Sequence, residues 1–300
     1  MKQLQANLAM LAAMLLWGTS PTATKYVLAD LGTSEIYAFR VVGGALVLWC
    51  ISILIYKKVR WHGFAPLIMG FFSPGLVTLF IVLGLSYTSA INGSVVWGVL
   101  PVVQPLLARI FLQEPIEGSV MAGAGLSIIG ITILFLLKNQ DGSGSLFGDF
   151  LLLCGVLSAT ASQILARKVA VEHGKPIVTT SYQMLVAALL GIGILVFTTP
   201  LDSAYQSVDV PIFFLLCYLV LTSAGPYFLS NYALQNMSVG RSALFSPLAG
   251  PIGVTFAMVV FREPMDAWIF IAILVALAGA FLPTYMTFRA NRRQDSNNRQ

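Results

Sequence analysis

Three short stretches of the chain place an aromatic ring and neutral hydrogen-bonding groups at helical spacing. They are Trp17, Pro21 and Thr24; Trp97, Pro101 and Gln104; and Ser223, Tyr227 and Ser230 or Asn231. Residues at i, i+4 and i+7 share one face of a helix, so each stretch would present these groups in one direction. Such faces suit a zwitterion or a polar metabolite with an apolar side chain. The alternative is that the amides join helices and the tryptophans pack or anchor at interfaces.

Arg40 is a further candidate, because it lies a little more than one turn inside a predicted apolar helix. A charge in such a position is costly to bury and marks a functional site by default. The alternative is that its side chain reaches the nearby surface, where Glu35 offers a partner. Four other polar residues are interpreted as structural, namely Lys25 and Arg109 near helix ends, and Tyr182 and Gln183 on a peripheral helix.

The sequence carries no motif for enzyme or metal chemistry. The only two histidines, His62 and His173, lie 111 positions apart, and neither an HExxH nor a G-x-S-x-G motif occurs. We therefore predict no catalytic residue, no metal site and no cofactor. None of the twelve acidic residues falls in the middle of a predicted apolar helix, which argues against a proton relay at the bilayer centre.

The elements that must position these groups are membrane-spanning helices. The 300 residues are 57% hydrophobic and 10% charged, and apolar segments follow one another from Leu8 to Phe288. A bilayer core of about 30 Å needs about 20 apolar residues per helix, and ten segments approach that length. They are Leu8 to Leu28, Ile36 to Tyr56, Pro66 to Leu85, Val95 to Leu112, Val120 to Leu137, Phe147 to Leu165, Ile177 to Phe197, Ile212 to Leu234, Ala243 to Phe261 and Trp268 to Phe288. The three cysteines lie in such segments and predict no disulfide framework.

Basic residues support this count because they collect in alternate loops. With the N-terminus in the cytoplasm, the loops on the opposite side hold only Lys138 and Arg262. The positive-inside rule then places both termini in the cytoplasm. Because the cations are scattered rather than gathered on one face, the net charge of +5 does not indicate nucleic-acid binding.

The chain also carries an internal repeat. The stretch DGSGS at Asp141 to Ser145 divides the predicted helices five and five, and segments on either side align at an offset of 142 residues, then 149. Because each half has an odd number of spans, the second copy is predicted to be inserted upside down. We predict an all-α polytopic membrane protein with two inverted five-helix repeats. Residues 1–140 form the first repeat, 141–145 a linker, 146–288 the second repeat and 289–300 a basic cytoplasmic tail.

A Glu-Pro dipeptide recurs at the ends of the fourth and ninth predicted helices. Its glutamates are Glu114 and Glu263, 149 positions apart and on opposite sides of the membrane in this topology, so they cannot form a coupling pair. Proline fits the first turn of a helix, and a carboxylate complements the positive end of one. We interpret the dipeptide as a repeated hinge and cap.

The residues around each Glu-Pro dipeptide point to a known family. The blocks LPVVQPLLARIFLQEPIEGSVMAGAGLSIIGITIL and AGPIGVTFAMVVFREPMDAWIFIAILVALAGAFL share a proline, an apolar run, a glutamate and a small-residue helix. With Trp17-Gly18 in the first helix, the chain resembles EamA-type members of the drug/metabolite transporter superfamily. The two copies differ in that Pro251 lies one residue closer to its glutamate than Pro101 does, and Trp17 has Ala159 as its counterpart.

The resemblance implies ten helices, a central cavity and export of small metabolites, often amino acids, across a bacterial inner membrane. Proline inside a span removes a backbone hydrogen bond and bends the helix, which is tolerated beside a wet cavity. We expect gates or kinks at Pro21, Pro74, Pro101, Pro226, Pro247 and Pro251. Small residues on the fifth and tenth spans, such as Gly123 and Ala276, suit close packing within the fold or in a homodimer.

The expected function is therefore secondary transport of a small molecule by alternating access. The alternatives are a lipid or nucleotide-sugar carrier of the same fold, a channel, and an intramembrane enzyme. Small multidrug-resistance proteins of the same superfamily depend on a carboxylate in their first helix. This chain has none there, which argues against a drug/proton antiporter.

Overall fold

The protein is described by a computed structural model in which every defined element is helical. It describes residues 2–56, 63–88, 96–97, 99–116, 118, 120–123, 125–126, 128–129, 132, 145–173, 175–198, 209–261, 271, 274–275 and 278. Within these ranges there is no β-strand, and five helical segments are long and apolar enough to cross a membrane. The predicted all-α membrane class is confirmed, whereas the count of ten spans stays a prediction.

Within the described residues, ten α-helical segments are numbered in chain order. They are α1 (Lys2–Val27), α2 (Thr33–Tyr56), α3 (Ala65–Gly70), α4 (Val77–Tyr87), α5 (Leu100–Leu112), α6 (Leu146–His173), α7 (Pro176–Thr198), α8 (Val210–Ala233), α9 (Val239–Ala243) and α10 (Ala249–Phe261). The tenth predicted span, with Ala276, lies largely outside the described residues, and about half of the fifth does. Glu263 also lies outside them.

The third predicted span is not one continuous helix. Between α3 and α4, residues Phe71–Leu76 form a π-helical turn in which Ser73 is extended, with φ −150° and ψ 120°. Pro74 lies in this turn and has no N–H to donate to the helical ladder. The sequence predicted a span from Pro66 to Leu85 with a gate or kink at Pro74, and the helix is interrupted in the turn that contains this proline.

The ninth predicted span is also divided. The chain forms α9, a 3₁₀ turn at Ser246–Leu248 that contains Pro247, and then α10. Pro101 lies at the start of α5, where a missing N–H costs no hydrogen bond, so it begins this helix rather than bending it. Pro251 is the third residue of α10 and also lies in the first turn of its helix, and α1 and α8 continue through Pro21 and Pro226 without interruption.

The two halves of the chain pack mainly against each other. Helix α1 packs on α8 and α10, while α6 packs on α4 and α5. Helix α2 contacts α8, α7 contacts α3, and α2 and α7 pack along one another. The same set of contacts results if each helix is replaced by its counterpart in the other half. Moreover, α5 and α10 each have 13 residues and begin 149 positions apart. The interface between the halves is therefore the centre of the described structure.

The outward-facing sides of the helices are apolar. Leu54 on α2, Phe197 on α7 and Leu146 on α6 are 79%, 91% and 88% exposed. Large apolar side chains exposed in such number are normally covered in a soluble protein. In a bundle of membrane helices they face lipid, while the polar side chains collect inside.

Candidate functional site

Arg40 lies at the centre of a buried polar cluster formed by α1, α2 and α8. Its Nε donates to Ser223 Oγ at 2.9 Å, its Nη1 to Thr24 Oγ1 at 2.8 Å, and its Nη2 to Ser20 Oγ at 2.8 Å. Arg40 is only 5% exposed, and the three hydroxyl-bearing residues are equally enclosed. We call these four residues the Arg40 cluster. It joins one helix of the second half to two helices of the first.

The hydroxyl groups are themselves held in place by the helices that carry them. Thr24 Oγ1 donates to the Ser20 carbonyl at 2.8 Å, and Ser223 Oγ donates to the Leu219 carbonyl at 2.8 Å. These two hydroxyls therefore donate their hydrogens to their own helices and accept from the guanidinium through their lone pairs. The cluster therefore holds a single positive charge in place through three hydrogen bonds to neutral hydroxyls.

The surface interpretation of Arg40 does not fit this geometry. Glu35, its proposed partner, instead accepts a hydrogen bond from the Gly32 backbone N–H at 2.9 Å. The guanidinium points into the bundle because hydroxyls on two other helices receive it. By contrast, Lys25 is exposed and donates to the Leu85 carbonyl at 2.9 Å, and Arg109 is exposed on α5. These two cations are at helix ends, as predicted.

An aromatic pair lies beside the Arg40 cluster. The rings of Trp17 and Tyr227 meet edge to face, with centroids 5.3 Å apart and an interplanar angle of 79°. The Tyr227 hydroxyl accepts from Ser73 Oγ at 3.0 Å and is close enough to Arg40 to interact with its charge. The pair thus links α1 and α8 to the broken third span.

A neutral polar network lies near the C-terminal end of α8. The Asn231 amide donates to Thr180 Oγ1 at 2.8 Å and to Gln183 Oε1. Gln183 Nε2 in turn donates to the Ser73 carbonyl at 3.4 Å, which also accepts from Ser162 Oγ at 3.4 Å. The break at Ser73 therefore exposes a backbone acceptor, and side chains from the second half satisfy it.

The placement of α7 at the periphery was wrong. Gln183 is 1% exposed, and Tyr182, 9% exposed, packs its ring edge-to-face on Trp49 with centroids 5.3 Å apart. Helix α7 runs along α2 and against the broken third span, so these side chains face the interface between the halves. Sequence position alone did not show this, because the order of spans does not state which are neighbours in space.

Two other predicted site residues, Trp97 and Gln104, have no hydrogen bond to the Arg40 cluster among the described residues. Trp97 lies close to Gly155 on α6, and Gln104 is 5% exposed in α5. Among the described residues, no hydrogen bond joins either of them to Arg40, Tyr227 or Asn231. The same part of the chain holds no group of histidine, cysteine and acidic side chains that could bind a metal.

Glu114 contacts the second half of the chain. Its Oε1 accepts from Arg167 Nε at 3.2 Å, and its Oε2 accepts from the Val239 backbone N–H at 3.1 Å. The same arginine donates through Nη1 to the Leu234 carbonyl at 2.6 Å. Gln113, in the left-handed region at φ 56°, ends α5 and turns the chain at this point. The carboxylate thus accepts from the first N–H of α9, a contact with the second half that the hinge-and-cap interpretation did not include.

Replacing Glu114 by glutamine is expected to lower the free energy of unfolding by about 1 kcal/mol or less, because the pair with Arg167 is partly exposed. The side chains of Arg167 and Glu114 are 25% and 17% exposed. Glu114→Ala should cost more, since the Val239 N–H then loses its acceptor as well. Thermal unfolding of the purified protein measures both changes. Glu172→Gln, at an exposed position on α6, is the control.

A double-mutant cycle separates the pair from its surroundings. If Glu114→Gln and Arg167→Gln act through one ion pair, their combined effect is smaller than the sum of the single effects. Additive effects would contradict the assigned pairing.

A polar cluster buried between two interlocked helical halves, with a broken helix beside it, is characteristic of membrane carriers. The chain belongs to the EamA-like transporter family, which matches residues 4–136 and again residues 146–285. The resemblance drawn from the repeated Glu-Pro blocks is confirmed. The protein is a multi-pass membrane protein, and its family indicates a transporter.

Several relatives match most of the chain. The chain is 24% identical to the uncharacterized transporter YyaM of Bacillus subtilis (strain 168), over 96% of this chain and 98% of that protein. It is 26% identical to the WAT1-related protein At3g02690, chloroplastic, of Arabidopsis thaliana, over 90% of this chain and 67% of the relative. A solved crystal structure with 16% identity matches with a TM-score of 0.77, covering 95% of this chain and 98% of that one. This match establishes the shared fold.

Three central residues were not singled out from the sequence as site residues. Ser20 accepts a hydrogen bond from the Arg40 guanidinium, and Ser73 donates one to the Tyr227 hydroxyl. Gln183 accepts from Asn231 in the neutral network. Ser20 lies between Trp17 and Thr24 in the first stripe, three residues from one and four from the other, so helical spacing could have found it. Ser73 precedes the mid-span Pro74, and a proline disfavours the helical conformation of the residue before it.

Proposed function

We propose that this protein is a secondary transporter that exports small metabolites such as amino acids by alternating access. The observation that carries the proposal is the Arg40 cluster with the adjacent Trp17–Tyr227 pair, buried where the two halves meet. A charged group, hydroxyls and aromatic rings together suit a molecule with polar and apolar parts. The membrane is a bacterial inner membrane, with both termini in the cytoplasm.

The position of the cluster supports movement of one half against the other. Helices α1 and α2 come from the first half and α8 from the second, so any rocking of the halves changes the surroundings of Arg40. The broken segment Phe71–Leu76 adds a place where the third span can bend. A substrate bound at this interface would be exposed to one side of the membrane and then to the other.

The test is counterflow in vesicles that contain the purified protein. Vesicles preloaded with one unlabelled amino acid are diluted into buffer with a trace of the same labelled amino acid, and each standard amino acid is tested separately. A carrier accumulates label transiently above equilibrium because the internal unlabelled pool keeps returning empty sites. Protein-free vesicles are the control.

Other outcomes would contradict parts of the proposal. Entry of label to equilibrium without an overshoot indicates a channel. Counterflow with nucleotide sugars or lipids and with none of the amino acids would overturn the substrate class. Uphill accumulation driven by an imposed pH gradient alone would contradict a weakly coupled mechanism, which we infer from the lack of a mid-span carboxylate.

A further inference from the structure

The Arg40 cluster contains a charge that nothing in the described structure neutralises. Its three partners, Ser20, Thr24 and Ser223, are neutral hydroxyls. Every described carboxylate lies elsewhere: Asp30, Glu35, Glu114, Asp149, Glu172 and Asp209 are in loops, near helix ends or on exposed turns. An arginine that is 5% exposed therefore lacks a counter-charge in this part of the chain. Burying an ion in this way is unfavourable unless an opposite charge joins it.

The hydrogen bonds of Arg40 are also incomplete. A guanidinium carries five N–H donors, one on Nε and two on each terminal nitrogen. The cluster uses one donor on each nitrogen, so Nη1 and Nη2 each keep one N–H without an acceptor among the described residues. Two N–H groups on one guanidinium are what a carboxylate accepts in a bidentate pair.

We propose that Arg40 binds the carboxylate group of the transported molecule. The inference rests on the proposed transport function and names the chemical class of its substrate, an organic anion or zwitterion. The three hydroxyls hold the guanidinium in place before the substrate arrives. The binding energy is therefore not spent on ordering a long side chain.

The surroundings of Arg40 indicate what the rest of the molecule should be. Tyr227 lies one helical turn from Ser223 on α8, and Trp17 lies about one turn from Ser20 on α1, a separation of about 5 Å along each axis. The aromatic pair therefore lies on the same side of the cluster along both helices. A carboxylate on Arg40 leaves an attached apolar group within reach of Trp17 and Tyr227.

A purely structural role explains these observations less well. The same protein joins α7 to α8 through Thr180, Gln183 and Asn231, which are all neutral. Bracing between helices thus needs no charge here, and a neutral amide at position 40 could donate to the same hydroxyls without the cost of burying an ion. The positive charge is accounted for when it has a negatively charged ligand.

The experiment measures thermal unfolding of the purified full-length protein in detergent with increasing sodium benzoate, a small carboxylate. Benzamide with an equal addition of sodium chloride is the neutral probe of matched shape, and sodium phosphate is the inorganic anion. A ligand that binds the folded state raises Tm with the logarithm of its concentration. We expect benzoate to raise the wild-type Tm more than either benzamide or phosphate.

Three variants connect this effect to Arg40. Arg40→Gln should abolish the benzoate shift, and Arg40→Lys should weaken the apparent affinity more than about tenfold because the bidentate pair is lost. Arg109→Gln removes an exposed arginine of α5 and should keep the wild-type shift. If Arg40→Gln does not fold, two measurements still test carboxylate binding by Arg40. They are the wild-type comparison of benzoate with benzamide and the benzoate affinity of Arg40→Lys.

Equal shifts with benzoate and benzamide, no shift with benzoate, or an unchanged shift in a folded Arg40→Gln protein would overturn the proposal. Equal stabilisation by phosphate would overturn recognition of a carboxylate. The proposed transport function and the proposed carboxylate site can each be contradicted without the other. An Arg40-dependent benzoate shift without counterflow would contradict transport alone, while equal counterflow of an amino acid and its amide would contradict the Arg40 site alone.

Discussion

Replacement of Gly70 by alanine should prevent most of the protein from reaching a stable folded state. Gly70 ends α3 at the point where it crosses α7, and a Cβ added there would lie 2.6 Å from the Cα of Gln183. The obstacle is backbone rather than the tip of a flexible side chain, so α3 and α7 must move apart. Overpacking of this kind costs about 3 kcal/mol or more when the neighbours cannot yield.

The displacement would also disturb the neutral network. Gln183 donates to the Ser73 carbonyl and accepts from Asn231, so a shift of its backbone separates α7 from both the broken span and α8. We expect Gly70→Ala protein to show a strongly lowered Tm and to aggregate after detergent extraction. Size-exclusion chromatography and thermal unfolding measure these outcomes.

Gly193→Ala provides the matched control. Gly193 also lies in a helix of this region, α7, but an added Cβ would meet no atom within 4 Å. Alanine there should be neutral or slightly stabilising, since glycine is less favourable than alanine inside a helix. Equal Tm values for the two variants would contradict the described crossing of α3 and α7.

Replacement of Tyr227 by alanine should reduce transport more than about tenfold while the protein still folds and inserts. The change removes the ring that packs on Trp17 and the hydroxyl that accepts from Ser73, so two elements of the candidate site lose a common partner. A tenfold loss corresponds to about 1.4 kcal/mol. The initial rate of counterflow for the amino acid with the largest overshoot measures the effect.

Two comparisons separate transport from general damage. Tyr227→Phe keeps the ring and loses only the hydroxyl, so we expect it to retain more activity than Tyr227→Ala. Tyr87→Ala truncates a tyrosine that is 54% exposed at the end of α4 and should leave the rate near wild type. A wild-type rate in a folded Tyr227→Ala protein would count against the proposed site.

Helical spacing in the sequence predicted several residues of the candidate site. Trp17, Thr24, Ser223 and Tyr227 were selected because an aromatic ring and hydroxyls shared a helix face, and the structure brings these four residues close to Arg40. Trp97 and Gln104 satisfied the same spacing, yet within the described residues no hydrogen bond joins either of them to this cluster. Periodicity identifies a face of one helix, but it does not identify the helix that this face meets.

The sequence by itself determined the apolar segments, the repeat and the family. Each depends on local composition or on order along the chain, and bilayer thickness imposes a length that can be counted. The tertiary structure decided which interpretation of Arg40 holds, because Ser223 lies 183 positions away. It also showed that α7 lies at the interface between the halves and that Glu114 pairs with Arg167 and accepts from the first N–H of α9. These outcomes depend on contacts between distant helices, whose partners are chosen by packing of the whole bundle rather than by any single segment.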